Sequence, residues 1–146
     1  MDWREVNLAE GFIEVKASKA KTAARRIVPV LPNLAKWLVP CAATSGRVVP
    51  FDDFGYQQQE LCREIREEGG KLVRPAFKWK TNALRHSFIS YRVADIKDVP
   101  QVALEAGNSP RMVFTNYRQL VSERAAKAWF SIVPGTAENV VAMRAA

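Results

Sequence analysis

Three apolar, helically spaced segments follow one another between Asn82 and Tyr117, and polar residues interrupt them where a packed helix rarely carries any. The stretch reads NALRHSFISYRVADIKDVPQVALEAGNSPRMVFTNY. In its first segment, 82–95, Leu84, Phe88 and Tyr91 recur at i, i+4 and i+7 and predict the buried stripe. Arg85, Ile89 and Arg92 form a second stripe on another side of the same helix. Arg85 is therefore expected near the start of a largely buried helix, where a guanidinium requires an acid of this chain or an anionic ligand. His86, the chain's one histidine, is expected to be a core residue satisfied by its neighbours. In the second segment Val99, Val102, Ala103 and Ala106 face inward, and Gly107 stops the helix. The third opens with Ser109 as N-cap and Pro110 in the first turn, and places Val113, Tyr117, Leu120 and Val121 on one face. A further helix, capped by Ser122, follows.

Upstream the patterning is different. FIEV at 12–15 and RIVPV at 26–30 are short β-rich runs that predict a hairpin, with Lys19, Lys21, Arg25 and Arg26 in or beside its connection. LPNLAKWLVPC at 31–41 reads as a core helix through Leu31, Leu34, Trp37 and Leu38. An acidic helix is expected over 57–68, with Leu61 and Ile65 inward and Gly69-Gly70 as its stop. A basic connection, KLVRPAFKWKTN, carries Lys78 and Lys80 beside Phe77 and Trp79, aromatics that either anchor the loop to the core or stack on bases. The fold class expected is mainly α with a small antiparallel β-hairpin or sheet (α+β). One domain spans 1–132, and a tail, 133–146, frays or docks on a neighbour through Val140, Val141 and Met143.

Charge narrows the partner. The formal net charge is +7 and the pI about 9.7. Six cations stand against Glu14 alone in 14–36, and six stand against no acid in 71–92, whereas 52–68 is acidic. Two basic blocks flanking an acidic one favour an anionic partner, nucleic acid first. No stretch approaches the roughly 20 apolar residues of a spanning helix, so no membrane partner is expected. The N-terminus has no apolar signal region, and Cys41 and Cys62 have no Cys or His at ligand spacing. A cytoplasmic protein with no metal and no cofactor is the plain expectation.

Taken together, LRHSF at 84–88, AGNSP at 106–110, NYRQLV at 116–121 and the KAKTAARRIVPV hairpin at 19–30 resemble the tyrosine recombinases, or phage-type integrases. The resemblance runs from about Trp3 to Ile132. It implies a catalytic-domain fold lacking its first helices, and DNA cleavage and rejoining through a covalent 3′-phosphotyrosyl intermediate. By that resemblance Tyr117 is the nucleophile, Arg85 clamps the scissile phosphate, and Lys21 protonates the leaving 5′-oxygen. Asn82 and Asn108 occupy positions where the family usually carries histidine, or histidine or tryptophan. Asparagine donates hydrogen bonds to phosphate oxygens but is no base near neutrality. The family's first arginine falls before residue 1 of this chain, so the resemblance implies impaired cleavage by this chain alone. Double-stranded DNA is the implied partner, with Lys19, Arg25, Arg26, Lys78, Lys80, Arg111 and Arg118 along it. Assembly as a tetramer on DNA is implied, and a monomer is expected in isolation. The alternative is a non-catalytic helix-turn-helix module over 99–120, in which Tyr117 is core and Arg111 with Arg118 meets DNA.

Overall fold

The two β-rich runs pair as expected and recruit a third strand. In the computed structural model, which describes residues 1–19, 25–67, 69–117 and 121–135, β1 (Val6–Asn7), β2 (Phe12–Val15) and β3 (Arg26–Pro29) form an antiparallel sheet in the order β1-β2-β3. Ile13 faces Val6 on one side and Val28 on the other. A one-turn 3₁₀ helix, Trp3–Glu5, precedes the sheet and is held by a capping box: the Arg4 N–H donates to Asp2, and the Asp2 N–H donates to Glu5. Trp3 is buried there.

Proline at the first turn starts α1 (Pro32–Leu38). The expectation of a core helix is corrected: none of its residues is buried, and its apolar side lines a groove shared with Leu84, Phe88, Trp129 and Phe130. The acidic helix is also shorter than its pattern suggested. Asp53 caps α2 (Phe54–Cys62), and the chain turns extended at Arg63. Ile65–Arg66 (β4) then pairs with Leu72–Arg74 (β5). The Arg74 guanidinium donates to the carbonyls of Leu61 and Arg63, and the Phe77 N–H donates to that of Cys62. The carbonyls left over at the end of α2 thus find partners outside it. Gly69 and Gly70, at φ +96° and +82°, serve the β4–β5 turn rather than a helix stop.

Four helices make the remainder: α3 (Ala83–Ile96), α4 (Val99–Ala106), α5 (Pro110–Tyr117) and α6 (Glu123–Phe130). Asp98 and Ser122 cap α4 and α6 by accepting from Gln101 and Ala125. The core lies between α3, α4 and α5, where Ile89, Val102, Ala103, Ala106, Val113 and Tyr117 form one buried cluster. The expected α3 stripe holds only in part: Phe88 packs against this cluster and Tyr91 is half-buried, but Leu84 is not inside and Ile89 of the other stripe is. Ile89 is fully buried, whereas Leu84 is 62% exposed. The Arg85–Ile89–Arg92 stripe turns to α4 because both arginines find oxygen acceptors there. α6 packs on the other side of α3, with Trp129 stacked on Tyr91 at 5.0 Å between ring centroids. The expected tail lies mostly beyond residue 135, outside the described residues. Among the described residues, no helix is long and apolar enough to cross a membrane.

Candidate functional site

α4 ends in a way that exposes acceptors to α3. Gly107 takes the left-handed conformation at φ +64°, and its N–H and that of Asn108 turn back to Ala103 and Leu104 carbonyls. The Ala106 carbonyl and the Asn108 side chain are left facing α3. Arg85 takes both: one terminal nitrogen donates to Ala106 O at 2.9 Å and also to Asn108 Oδ1. Arg85 is exposed, not buried as its apolar setting predicted. Its helix face opens at the rim of the α3–α4 contact rather than at its centre. Both of its acceptors are neutral, so among the described residues its positive charge is not cancelled by an acid.

Tyr117 closes α5 and is only 7% exposed. Its hydroxyl lies 2.7 Å from Nδ1 of His86, and the two rings tilt by 31° at 5.4 Å. His86 is exposed and immediately follows Arg85, so the expectation of a core histidine is corrected. Where Nδ1 carries no proton, the phenol donates to it. One short segment of α3 therefore sends consecutive side chains to the α4–α5 turn and to the end of α5.

The cations at the start of β3, Arg26 and the preceding Arg25, approach the same turn. Arg25 pairs with Glu14 at 2.9 Å. Arg26 packs its guanidinium on Gly107 so closely that a Cβ at 107 would lie 2.7 Å from its Cζ. A concavity on this side is lined by Arg25, Arg26, Gly107, Asn108 and Ser109. Ser109 Oγ accepts from the Met112 N–H and opens α5.

Deeper in the α3–α4 contact sits an ion cluster. Arg92 donates to Glu105 at 3.0 and 3.2 Å and to Asp95 at 2.9 Å, and Gln101 donates to Glu105 at 3.1 Å. The Glu105 side chain is 1% exposed and that of Arg92 13%. Burial by itself would lower the pKa of Arg92, but hydrogen bonds and charge from Glu105 and Asp95 outweigh it and raise the value above the ordinary one. This cluster fixes the register of α3 on α4, and with it the approach of Arg85 to Ala106 and Asn108.

Other expected site residues stand apart. Asn82 precedes α3 in a left-handed conformation, φ +56°, and makes no side-chain cap. It has no side-chain hydrogen bond to Arg85 or Asn108. Lys78 and Lys80 are exposed on the extended segment before α3, where Phe77 neighbours Trp79 and carries Arg74 over its ring at 5.3 Å. Arg111 is exposed on α5. Lys19 ends a short 3₁₀ turn, while Lys21 and Arg118 lie outside the described residues.

His86, Gly107 and Glu105 are the participants that residue patterns did not single out for these roles. The adjacency of His86 to Arg85 was the available signal for the first. Glu105 had a weaker one, an acid among the inward positions of α4. In comparisons with known proteins, no family model, curated protein or solved structure matches this chain.

Proposed function

We propose that this chain carries a phosphoryl-transfer site for DNA strand cleavage and rejoining of the tyrosine-recombinase type. The observation that carries the reading is that consecutive residues of α3 reach the two expected partners, Arg85 contacting Asn108 and His86 contacting the Tyr117 hydroxyl. A phenol is a weak nucleophile at neutral pH and needs a base or cationic neighbours. His86 is a base within hydrogen-bond reach of it. In the proposed step the Tyr117 oxygen attacks the scissile phosphorus and its proton passes to His86 Nδ1. The bond from phosphorus to the 5′-oxygen breaks, and that oxygen leaves with a proton supplied by a cationic donor, the role the resemblance assigns to Lys21. Arg85 stabilises the charge that develops on the non-bridging oxygens, where its planar fork matches phosphate geometry. Asn108, already on Arg85, offers its amide N–H groups to the same oxygens. Attack by the 5′-hydroxyl on the phosphotyrosine reverses the step and restores both groups.

A suicide duplex, nicked beside the cleavage point, tests this. The expected product is a covalent protein–DNA adduct that vanishes in Tyr117→Phe. Absence of any adduct on such substrates overturns the catalytic reading.

A second reading draws on the burial of Tyr117 within the α3–α4–α5 core. There the tyrosine is structural, and α4, the Gly107 turn and α5 serve as a helix-turn-helix. Salt-dependent duplex binding with no adduct, unchanged in Tyr117→Phe, is its signature.

A further inference from the structure

Among the cations near the α4–α5 turn, one has an unusual setting. Arg25 and Arg26 are neighbours on an extended chain, yet their partners differ. Arg25 is exposed and paired with Glu14. Arg26 is half-buried, its Nε is buried without a hydrogen-bond partner, and among the described residues no acid pairs with it. A guanidinium N–H withdrawn from water and left unpaired is costly, and such groups ordinarily mark a missing partner.

The surroundings specify the partner's charge. Arg85 grips the outer two members of the 106–108 turn, and Arg26 rests on the middle one, Gly107. Two guanidinium groups therefore abut three consecutive residues, with no acid of the described chain between them. The N-terminus of the eight-residue α5, opened by Ser109, adds its dipole to the same concavity. Gly107 contributes by what it lacks. Any side chain there would occupy the space of the Arg26 guanidinium.

We propose that Arg26 is a phosphate ligand, seated by Gly107, that holds a backbone phosphodiester of nucleic acid in the concavity formed with Asn108 and Ser109. The proposal rests on the DNA-directed reading above for the source of the phosphate, but not for the anion site itself. The planar fork of arginine suits two phosphate oxygens, which a lysine at the same place would not reproduce.

Two measurements on the intact chain separate the site from its source. Titration with inorganic phosphate against chloride at constant ionic strength, followed by ¹⁵N–¹H NMR of arginine side chains, reports on the site directly. A saturable shift of the Arg26 Nε–H signal is expected, and an Arg26 signal that does not respond overturns the proposal. Duplex DNA binding over a range of salt concentrations reports on the source. Arg26→Gln is expected to weaken binding roughly tenfold and to reduce the slope of log affinity against log salt by about 1. Arg26→Lys, which keeps the charge and the fold, is expected to retain the slope but lose affinity. Duplex binding by the parent chain with the same slope in Arg26→Gln overturns the Arg26 assignment and leaves the Arg85–Tyr117 reading standing. A phosphate response at Arg26 without any duplex binding supports the anion site and overturns the DNA-directed reading instead.

Discussion

The Tyr117 hydroxyl rests 2.7 Å from Nδ1 of His86, although the tyrosine is buried at the end of α5 and the histidine is exposed on α3. Removing the imidazole takes away the base that this contact supplies. His86→Ala is expected to slow covalent adduct formation on a suicide duplex by ~10²- to 10⁴-fold. Single-turnover kinetics measure it, and a rate equal to that of the parent chain would exclude His86 as the base.

Glu105 and Arg92 are a buried pair that joins α4 to α3. Glu105→Ala leaves the Arg92 guanidinium with only the part-exposed Asp95 as an acid partner and is expected to destabilise the fold by about 3 kcal/mol. Replacing both partners, Arg92→Met with Glu105→Leu, is expected to cost much less, because no charge is left buried without a partner: Asp95, which also loses Arg92, is 28% exposed and keeps access to water. Denaturant melts of the three chains decide it. Equal losses in the single and double variants would contradict the account.

Glu123 accepts hydrogen bonds from Lys127 and Lys97, which lower its pKa from 4.5 to about 2. Because the folded value lies below the ordinary one, the stabilisation is fully present above pH 4.5 and is lost as pH falls toward 2. Lys97 follows α3, so the contact also ties α3 to the start of α6. Glu123→Gln is expected to lower the melting temperature at neutral pH and to converge with the parent chain near pH 2. Melting curves that stay parallel across that window would show that the carboxylate contributes nothing.

Ile89 is fully buried at the centre of the α3–α4–α5 cluster. Ile89→Ala is expected to cost about 2–5 kcal/mol from lost burial and the cavity left behind. Leu84→Ala, one turn earlier on an exposed face, is expected to cost well under half as much. Urea midpoints with unchanged slopes measure both, and similar losses would restore the Leu84–Phe88–Tyr91 stripe as the inner face.

Several elements were legible in the residues because their causes are local. The FIEV and RIVP runs pair as β2 and β3, and Pro32, Ser109, Pro110 and Ser122 start helices where cap and proline chemistry dictates. Gly107 ends α4 because glycine, with no Cβ, takes φ +64° without strain. The α2 pattern failed beyond Cys62, since Arg74, distant in sequence, captures the carbonyls of Leu61 and Arg63 and opens the next residues to strand pairing.

Local residue chemistry set the alternation of a small antiparallel sheet with short capped helices, and the placing of Arg85, Asn108 and Tyr117 near helix ends. Dihedral preferences, caps and periodicity act within a few residues, so they can be read in order along the chain. Contacts between elements settled which side of α3 is inner: the more apolar Leu84–Phe88–Tyr91 stripe meets Trp129 and Phe130 of α6, while the Arg85–Ile89–Arg92 stripe meets the acceptors offered by α4. Such contacts alone set His86 on Tyr117, lodged Arg26 over Gly107 and gave Arg92 its buried acid. Each of these contacts joins residues from different elements, and their energies depend on burial and on the geometry of distant partners, which no local pattern encodes.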